Sequence, residues 1–173
     1  MAKQTKWIDR TFDFNFPLGV FPCILERLRG TPARVEELVR SFQPGILIKR
    51  VSNSWSIQEH VGHLLDLDTL HDGRIDDYLA GATTLRPADI TNKKTWEANH
   101  NAQSIEEILK SFRLVRMHVV HRLEALDEET LSRTAIHPRL QQPMRVLDMA
   151  YFVAEHDDHH IARMTQLANI LKD

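Results

Sequence analysis

Four segments of this sequence place their apolar residues at helical spacing, and each segment has a single apolar stripe. Residues three or four apart share one face of an α-helix, and no alternating apolar and polar run is long enough for a central strand. Four amphipathic helices bury their stripes by packing side by side. The sequence therefore predicts an all-α four-helix bundle, formed by a single domain over residues 1–173.

Capping and breaking residues mark the ends of the first two helices. The first stripe keeps its spacing through the segment RGTPAR, which predicts one helix with a kink at Pro32, and two shorter helices are the alternative. Ser56 and Glu59 have the spacing of a capping box that opens the second helix, and Gly81 is placed to end it. The second helix is thus expected to begin directly after Ser56.

The other two helices follow a long connection. Residues 81–103 contain Gly, Pro, Asn and Thr with little periodicity, which predicts a long, partly ordered loop between helices 2 and 3. The third helix opens on a second capping box, Ser104 with Glu107, and the fourth runs from about residue 145 to 171 after a turn-rich stretch. Such a loop can cross the length of the bundle, so a topology other than up-down-up-down is feasible.

Charge and composition restrict the partners. The formal net charge is −2 and no Lys/Arg cluster is present, which argues against a nucleic-acid partner. Neither the first residues nor any later apolar stretch has the length of a signal peptide or a membrane span, so we expect a cytoplasmic protein with no membrane partner. Cys23, the single cysteine, is expected to be a buried, inert thiol. Any metal must therefore be held by nitrogen and oxygen.

The segment AEHDDHHIARM concentrates histidines and aspartates in the fourth helix. His156 and His160 lie four residues apart, so they project from one helix face and can grip a single ion. His63 lies beside the apolar stripe of the second helix and therefore points toward a neighbouring helix. If helices 2 and 4 pack together, the three imidazoles form a site that leaves a coordination position open for water or substrate. The residues alone also allow these histidines to be surface or helix-terminal groups.

Two further residues are candidates for catalysis beside this site. Asp66 follows His63 by about one helical turn, so it can orient a ligand imidazole or assist proton transfer, with an exposed carboxylate as the alternative. His159 is a second candidate because it neighbours a predicted ligand. Asp157 and Asp158 are expected to face solvent or to support the ligands rather than to bind the ion.

Other catalytic arrangements fit less well. A zincin metalloprotease requires Glu directly after the first histidine, where this chain has Asp157. A di-iron bundle requires Glu-x-x-His on two helices, and Glu97 with His100 has this spacing but lies in the loop region. A Ser-His-Asp triad lacks its strand, turn and helix context in an all-helical chain.

The segment WSIQEHVGHLLDLD at residues 55–68, followed near the end of the chain by AEHDDHHIARM, resembles the DinB-like (YfiT-like) superfamily of metal-binding four-helix bundles. The family pattern is a Trp-Ser/Thr start, an acidic residue and His-x-x-Asp on the second helix, with His-x-x-x-His on the fourth. The segment RLRGTPARVEELV of the first helix is also typical. The resemblance therefore extends over nearly the whole chain.

The resemblance implies a set of ligands and a range of chemistry. The metal-binding histidines of the family fall on His63, His156 and His160, and Arg163 stands where members usually have Gln or His. Members are usually homodimers that bind zinc, nickel or another divalent ion. Known activities use low-molecular-weight thiols in transfer or isomerisation of small molecules, and many members are regarded as metal-dependent hydrolases. The leading hypothesis is therefore a metal-dependent enzyme that activates water or a low-molecular-weight thiol for hydrolysis or thiol transfer on a small-molecule substrate. The competing hypothesis is a non-catalytic, dimeric metal-binding stress-response module.

Overall fold

The computed structural model describes residues 4–172, and in these residues most of the chain is helical. Four long helices form the bundle, and three short helices and a β-hairpin lie between them. The helices are α1 (Phe21–Arg40), α2 (Pro44–Leu47), α3 (Ile57–Leu79), α4 (Lys93–Glu97), α5 (Ile105–Glu124), α6 (Glu128–Leu131) and α7 (Val146–Leu171), and the antiparallel strands are β1 (Thr134–His137) and β2 (Gln142–Arg145).

The predicted helix ends agree closely with the structure. Helix α1 continues without a break past Pro32. At the start of α3, the Ser56 hydroxyl accepts from the Glu59 amide at 3.1 Å and the Glu59 carboxylate accepts from the Ser56 amide at 2.8 Å. Gly81, just beyond α3, has a φ of 70°, the left-handed conformation that glycine adopts without strain. The local signals in the sequence therefore set the length of α3.

The buried apolar residues form two clusters, one toward each end of the bundle. The first cluster includes Phe21, Leu25 and Leu28 of α1, Ile75 and Tyr78 of α3, Val119 and Leu123 of α5, and Val146, Ala150 and Val153 of α7. The second includes Val35 and Val39 of α1, Ile57, Val61 and Leu64 of α3, Ile108 and Phe112 of α5, and Met164, Leu167 and Ala168 of α7.

These clusters reveal the direction of each helix. The first halves of α1 and α7 lie in the first cluster, whereas the first halves of α3 and α5 lie in the second. Helices α1 and α7 are therefore parallel, and α3 and α5 run the opposite way. Helix α1 packs against α5 and α7, and α3 packs against the same two helices. The chain must return along the whole bundle between the parallel helices α3 and α5, as the long loop allowed.

We call residues 80–104, which make this return, the crossover segment. It is partly ordered, as predicted, and includes α4 and a short 3₁₀ turn at His100–Ala102. Its first part is joined to the hairpin, because the Ile136 amide donates to the Thr83 carbonyl at 2.9 Å and the Leu85 amide donates to the Ile136 carbonyl at 3.0 Å. The sequence predicted only a turn-rich stretch in place of the hairpin. The two strands pair over four residues each, and Pro143 of β2 has no amide hydrogen to donate to this ladder.

A layer of buried polar side chains separates the two apolar clusters. Arg116 of α5 donates through Nη2 to Asp68 Oδ1 of α3 at 2.9 Å and to Asp157 Oδ1 of α7 at 3.1 Å. Thr31 of α1 donates to Asp157 Oδ2 at 3.0 Å. All four long helices are thus joined by hydrogen bonds at one level along the bundle axis. Asp157 was expected to face solvent or to support the ligands, and the structure buries it completely in this layer.

An aromatic segment before α1, residues 7–16, packs against α7. Trp7 and Phe12 both pack on Phe152, with ring centroids 4.9 and 5.0 Å away. No pattern in the sequence predicts this contact. Trp7 thereby reaches the part of α7 that carries the histidine cluster.

Cys23 is exposed, and the expectation of a buried thiol was wrong. It lies two residues from the buried Phe21 and Leu25, so the helical rotation of about 200° turns it to the opposite face.

Within residues 4–172, every helix is too short or too polar to cross a membrane.

Replacing Arg116 by Met tests the polar layer. The change leaves Asp68 and Asp157 buried without their cation, so we expect the free energy of unfolding in urea to fall by about 3–5 kcal/mol. Arg113→Met is the matched control, because Arg113 makes only an exposed ion pair with Glu36 and should cost less than about 1 kcal/mol. Equal losses in the two variants would contradict a central role for Arg116.

Candidate metal centre

Helices α3 and α7 bring three buried imidazoles together. One ring nitrogen from each of His63, His156 and His160 can be chosen so that all three atoms lie within 4.8 Å of one another. The Nε2 atoms of His156 and His160 are 3.0 Å apart. Two nitrogens bound to one tetrahedral zinc ion lie about 3.3 Å apart, given bonds of about 2.0–2.1 Å. The sequence-predicted triad therefore has the donor set and the spacing that a divalent ion requires.

A hydroxyl from the crossover segment orients the His63 ring. Thr95 Oγ1 donates to Asp66 Oδ2 at 2.9 Å and lies 3.1 Å from His63 Nδ1. Because the single hydroxyl hydrogen goes to the carboxylate, the hydroxyl must accept from His63, and we infer that Nδ1 carries the proton. This tautomer leaves Nε2 of His63 with its lone pair free to bind an ion.

Asp66 lies at the centre of this hydrogen-bond chain rather than on the surface. Besides Thr95, it contacts His100 Nε2 at 2.9 Å, and Lys94 Nζ lies 3.9 Å away. Burial alone would raise the pKa of Asp66, but the hydrogen bonds from His100 and Thr95 hold it below its ordinary value. Asp66 is therefore ionised at neutral pH and acts on His63 through Thr95.

A glycine permits the close approach of His100. A Cβ atom at Gly62 would lie 2.2 Å from Cδ2 of His100, so no larger residue fits there without moving that ring. The Gln58 amide holds the same stretch of backbone by donating to the carbonyls of His100 at 2.6 Å and Gln103 at 2.8 Å. The first turns of α3 thus fix both the ligand histidine and the segment that orients it.

A fourth histidine supports His160. The Nδ1 atoms of His60 and His160 are 2.8 Å apart, while Nε2 of His160 faces His156. If Nε2 of His160 binds an ion, its Nδ1 carries the hydrogen and donates to Nδ1 of His60. His60 then carries its own hydrogen on Nε2, an atom that is buried without a hydrogen-bond partner among the described residues.

Burial keeps these imidazoles neutral. Desolvation, followed by the charge of neighbouring groups, lowers the pKa of His60 to about 3 and places the pKa values of His156 and His160 well below the ordinary value. Burial also lowers the pKa of His63 to about 4, although the Asp66 carboxylate opposes the shift. Because a metal binds only the unprotonated imidazole, the triad is ready for an ion at neutral pH.

The remaining predicted residues lie around the triad. His159 is half-buried, and its Nδ1 atom lies 3.1 Å from Nε2 of Gln4, with its ring centroid 5.4 Å from that of His160. Asp158 pairs with Arg27 and Arg34 at the surface of α1. Neither residue contacts the triad nitrogens directly. The roles predicted for His159 in catalysis and for the triad in metal binding stay predictions.

Sequence reasoning missed the groups that support the ligands. Thr95 and His100 lie in the crossover segment, where no periodicity showed which side chains turn inward. His60 could have been found, since it lies three residues before His63 and therefore shares its side of α3. The Glu97 and His100 pair of the di-iron alternative is not formed as a ligand set, because His100 binds Asp66 and the Glu97 side chain is two-thirds exposed.

The triad forms part of the wall of a cavity of about 800 Å³. Trp7, Trp55 and Phe152 provide aromatic surface, and Leu67, Leu70 and Ile90 provide aliphatic surface. This volume lies in the upper part of the range for small-molecule sites. A ligand of considerable size can therefore lie beside the three histidines.

Comparison with known proteins identifies the family of the chain. The sequence model of the DinB superfamily matches residues 27–164, which include every residue of the triad. The chain belongs to the DinB superfamily. Among solved structures, this DinB-superfamily chain is similar to YfiT from Bacillus subtilis, with a TM-score of 0.80 and 18% sequence identity over 94% of each chain. YfiT is described as a probable metal-dependent hydrolase with an unusual four-helix bundle topology. The comparison with curated proteins gives no match.

The Thr95→Val substitution tests the orientation of His63. Valine keeps the shape of threonine but removes the acceptor for Nδ1–H, so we expect affinity for Zn²⁺ to fall about 10- to 100-fold in a chelator competition assay. Thr165→Val is the control, because Thr165 is exposed and its hydroxyl bonds only to its own helix. Unchanged zinc affinity in Thr95→Val would show that the hydroxyl does not orient the ligand.

The stability of the metal-free protein should fall as the pH decreases. Six buried histidines have pKa values below 6.5, so the unfolded chain binds more protons than the folded chain below that pH; they are His60, His63, His71, His137, His156 and His160. For each of these histidines, the free energy of unfolding falls by about 1.4 kcal/mol for every unit by which the pH drops below 6.5, as long as the folded ring stays unprotonated. Burial raises the pKa of Asp68 to about 6, which acts in the opposite sense, but one carboxyl is outweighed by six imidazoles.

Urea denaturation after chelator treatment measures this effect. We expect a lower midpoint at pH 5 than at pH 7, with stability lost as the pH falls from about 6.5 toward 4. A midpoint that is constant or higher at pH 5 would contradict the assignment of neutral, buried histidines.

Proposed function

We propose that this protein is a metal-dependent hydrolase whose divalent ion, zinc or nickel, is bound by His63, His156 and His160. The observation that carries the proposal is the convergence of three neutral imidazoles, with no carboxylate among them, on the wall of a large cavity. A three-histidine donor set leaves a coordination position for water or substrate. When bound, such an ion lowers the pKa of an adjacent water and polarises an electrophile.

The surrounding residues have separate tasks in this proposal. Asp66 and Thr95 hold the His63 ring in the tautomer that presents Nε2. Both act through another residue and are therefore positioning residues. His60 is among the residues that line the cavity, and its Nε2 is buried without a partner among the described residues. Because burial keeps this ring neutral, an Nε2–H there can donate to an oxygen of the substrate without titrating near pH 7. His159, half-buried at the same wall, is the residue best placed to exchange a proton with solvent.

Transfer of a low-molecular-weight thiol is the second candidate reaction. The cavity volume of about 800 Å³ favours it, because a thiol and its electrophilic partner can occupy the cavity together. In that reaction the ion would lower the pKa of the thiol in place of water. The homodimer and the cytoplasmic location expected from the sequence stay predictions, as does the non-catalytic metal-binding module.

Metal content and activity in His156→Ala test the proposal. We expect the purified wild-type protein to contain one zinc or nickel ion per chain, and the variant to lose it, because two histidines cannot hold the ion tightly. Elemental analysis gives the metal content, and a screen of ester, amide and thiol-transfer substrates with and without chelator gives the activity. His118→Ala is the control, because His118 is exposed on α5 and lies outside the cavity.

The two measurements separate the alternatives. A full metal complement in His156→Ala would overturn the triad. A normal metal content without chelator-sensitive activity on any substrate would favour the non-catalytic module. Activity that appears only with an added thiol would select the transfer reaction over hydrolysis.

A further inference from the structure

The cavity has a second polar region, away from the triad, which we call the basic end. It consists of His71 and Arg74 on α3, His137 on β1, and Arg139 in the hairpin turn, and all four line the cavity. These residues take no part in the proposed metal site. His71, His137 and Arg139 each have a buried nitrogen without a hydrogen-bond partner among the described residues.

Arg74 is a buried cation without an acidic partner. Its side chain is almost completely buried, yet Nε and Nη2 donate only to the Arg86 carbonyl, each at 3.2 Å, and no carboxylate of residues 4–172 pairs with it. Asp77, a turn away, is taken by Arg86, whose Nη2 lies 2.7 Å from its Oδ1. The contrast with Arg116 is direct, since that buried guanidinium binds two carboxylates. A desolvated charge is costly unless something neutralises it.

Arg139 is held in place but also lacks a counterion. Its guanidinium lies over the rings of Trp7 and Phe152, 5.6 and 5.5 Å from their centroids, and Nη1 donates to the Ile8 carbonyl at 3.1 Å. Its Nη2 is buried with no hydrogen-bond partner in the described part of the chain. The aromatic rings thus fix the orientation of this cation and leave one donor unused.

The two histidines add unused hydrogen-bonding atoms. His137 Nδ1 accepts from the Leu140 amide at 3.2 Å, so this nitrogen is unprotonated and the hydrogen lies on Nε2. Nε2 of His137 and Nδ1 of His71 are both buried and have no partner within residues 4–172. Burial and the neighbouring charge of Arg74 lower the pKa of both rings, to about 3 for His137. Both are therefore neutral, and the positive charge belongs to the two arginines.

Negative charge is scarce on this wall. Asp89 is the one acidic residue among the described residues that line the cavity. Its carboxylate is exposed and already accepts from the amides of Thr91 and Lys93, each at 2.9 Å. The basic end therefore carries two guanidinium charges and free donors that no group of residues 4–172 satisfies.

We propose that the basic end binds an oxyanion of the substrate, a carboxylate or a phosphate, through Arg74, Arg139 and the Nε2–H of His137. Guanidinium groups suit both anions because their N–H donors match the spacing of two oxygens. The anion would supply the counterion that Arg74 and Arg139 lack, and its oxygens would accept from the unpartnered donors.

Helix α3 carries residues of both the triad and the basic end. His63 and His71 are eight residues apart and His63 and Arg74 eleven, which corresponds to about 12 and 16 Å along a helix axis. Leu67 and Leu70 lie between them on the same wall. The substrate is thus expected to carry its anionic group at one end, an apolar middle, and the reacting bond at the other end. The assignment of the bound anion to the substrate rests on the proposed function. The prediction that the basic end binds an anion does not depend on that function.

Calorimetric titration of the chelator-treated protein tests this site. The probes are inorganic phosphate, glutarate and, as a neutral analogue, glutaramide. We expect phosphate or glutarate to bind at one site per chain and glutaramide not to bind. Arg139→Gln should weaken anion binding about 10- to 100-fold, the loss of one charge-assisted contact. Arg122→Gln is the matched control, because Arg122 pairs with Asp72 and Asp76 outside the cavity and should bind the anion as the wild type does.

Two further variants decide the outcome. Arg74→Gln should weaken binding as Arg139→Gln does, and if it fails to fold, Arg139→Gln alone decides because that side chain is only partly buried. His156→Ala should keep anion binding, which separates this proposal from the metal site: loss of metal with retained anion binding supports both. Absence of anion binding, equal binding in Arg139→Gln and the wild type, or loss of binding in His156→Ala would overturn the proposal.

Discussion

The buried guanidinium of Arg116 is the constraint on which the arrangement of the bundle depends. It binds one carboxylate from α3 and one from α7, and the α7 carboxylate also accepts from Thr31 of α1. Apolar stripes repeat with each helical turn, whereas the donors and acceptors of a charged layer in a low-dielectric interior are all satisfied only when the helices are aligned as observed. Asp157 directly follows His156, so the register that pairs Arg116 also sets the height at which the histidines of α7 meet His63.

The direction of the helices then determines what else surrounds the site. Because α3 and α5 are parallel, the chain must return along the bundle, and the crossover segment does so past the triad. Thr95 and His100 come from this segment, and their contacts with His63 and Asp66 exist only because the return passes on that side. In an up-down-up-down bundle a short turn would suffice, and the ligand on α3 would need its orienting group from elsewhere.

Local and periodic signals account for the part of this structure that could be predicted. The capping box at Ser56 and the glycine at position 81 gave the limits of α3, and the spacing of His156 and His160 placed them on one face of α7. Burial of Asp157 and exposure of Cys23 could not be read in the same way, since each depends on which face meets a neighbouring helix. Thr95 and His100 come from the crossover segment and Arg139 from the hairpin turn, where tertiary contacts rather than periodicity decide the direction of a side chain. The aromatic segment before α1 has no helical pattern either, and its place on α7 follows from burial of its rings.

Trp7 of that aromatic segment has a consequence for how the two ends of the cavity are related. The centroid of the Trp7 ring lies 5.0 Å from that of the His156 ring and 5.6 Å from the guanidinium carbon of Arg139. A single indole therefore packs against a triad imidazole and against a cation of the basic end. A ligand that moved this ring at one end would alter the contacts available at the other, and only such a movement would couple the two ends.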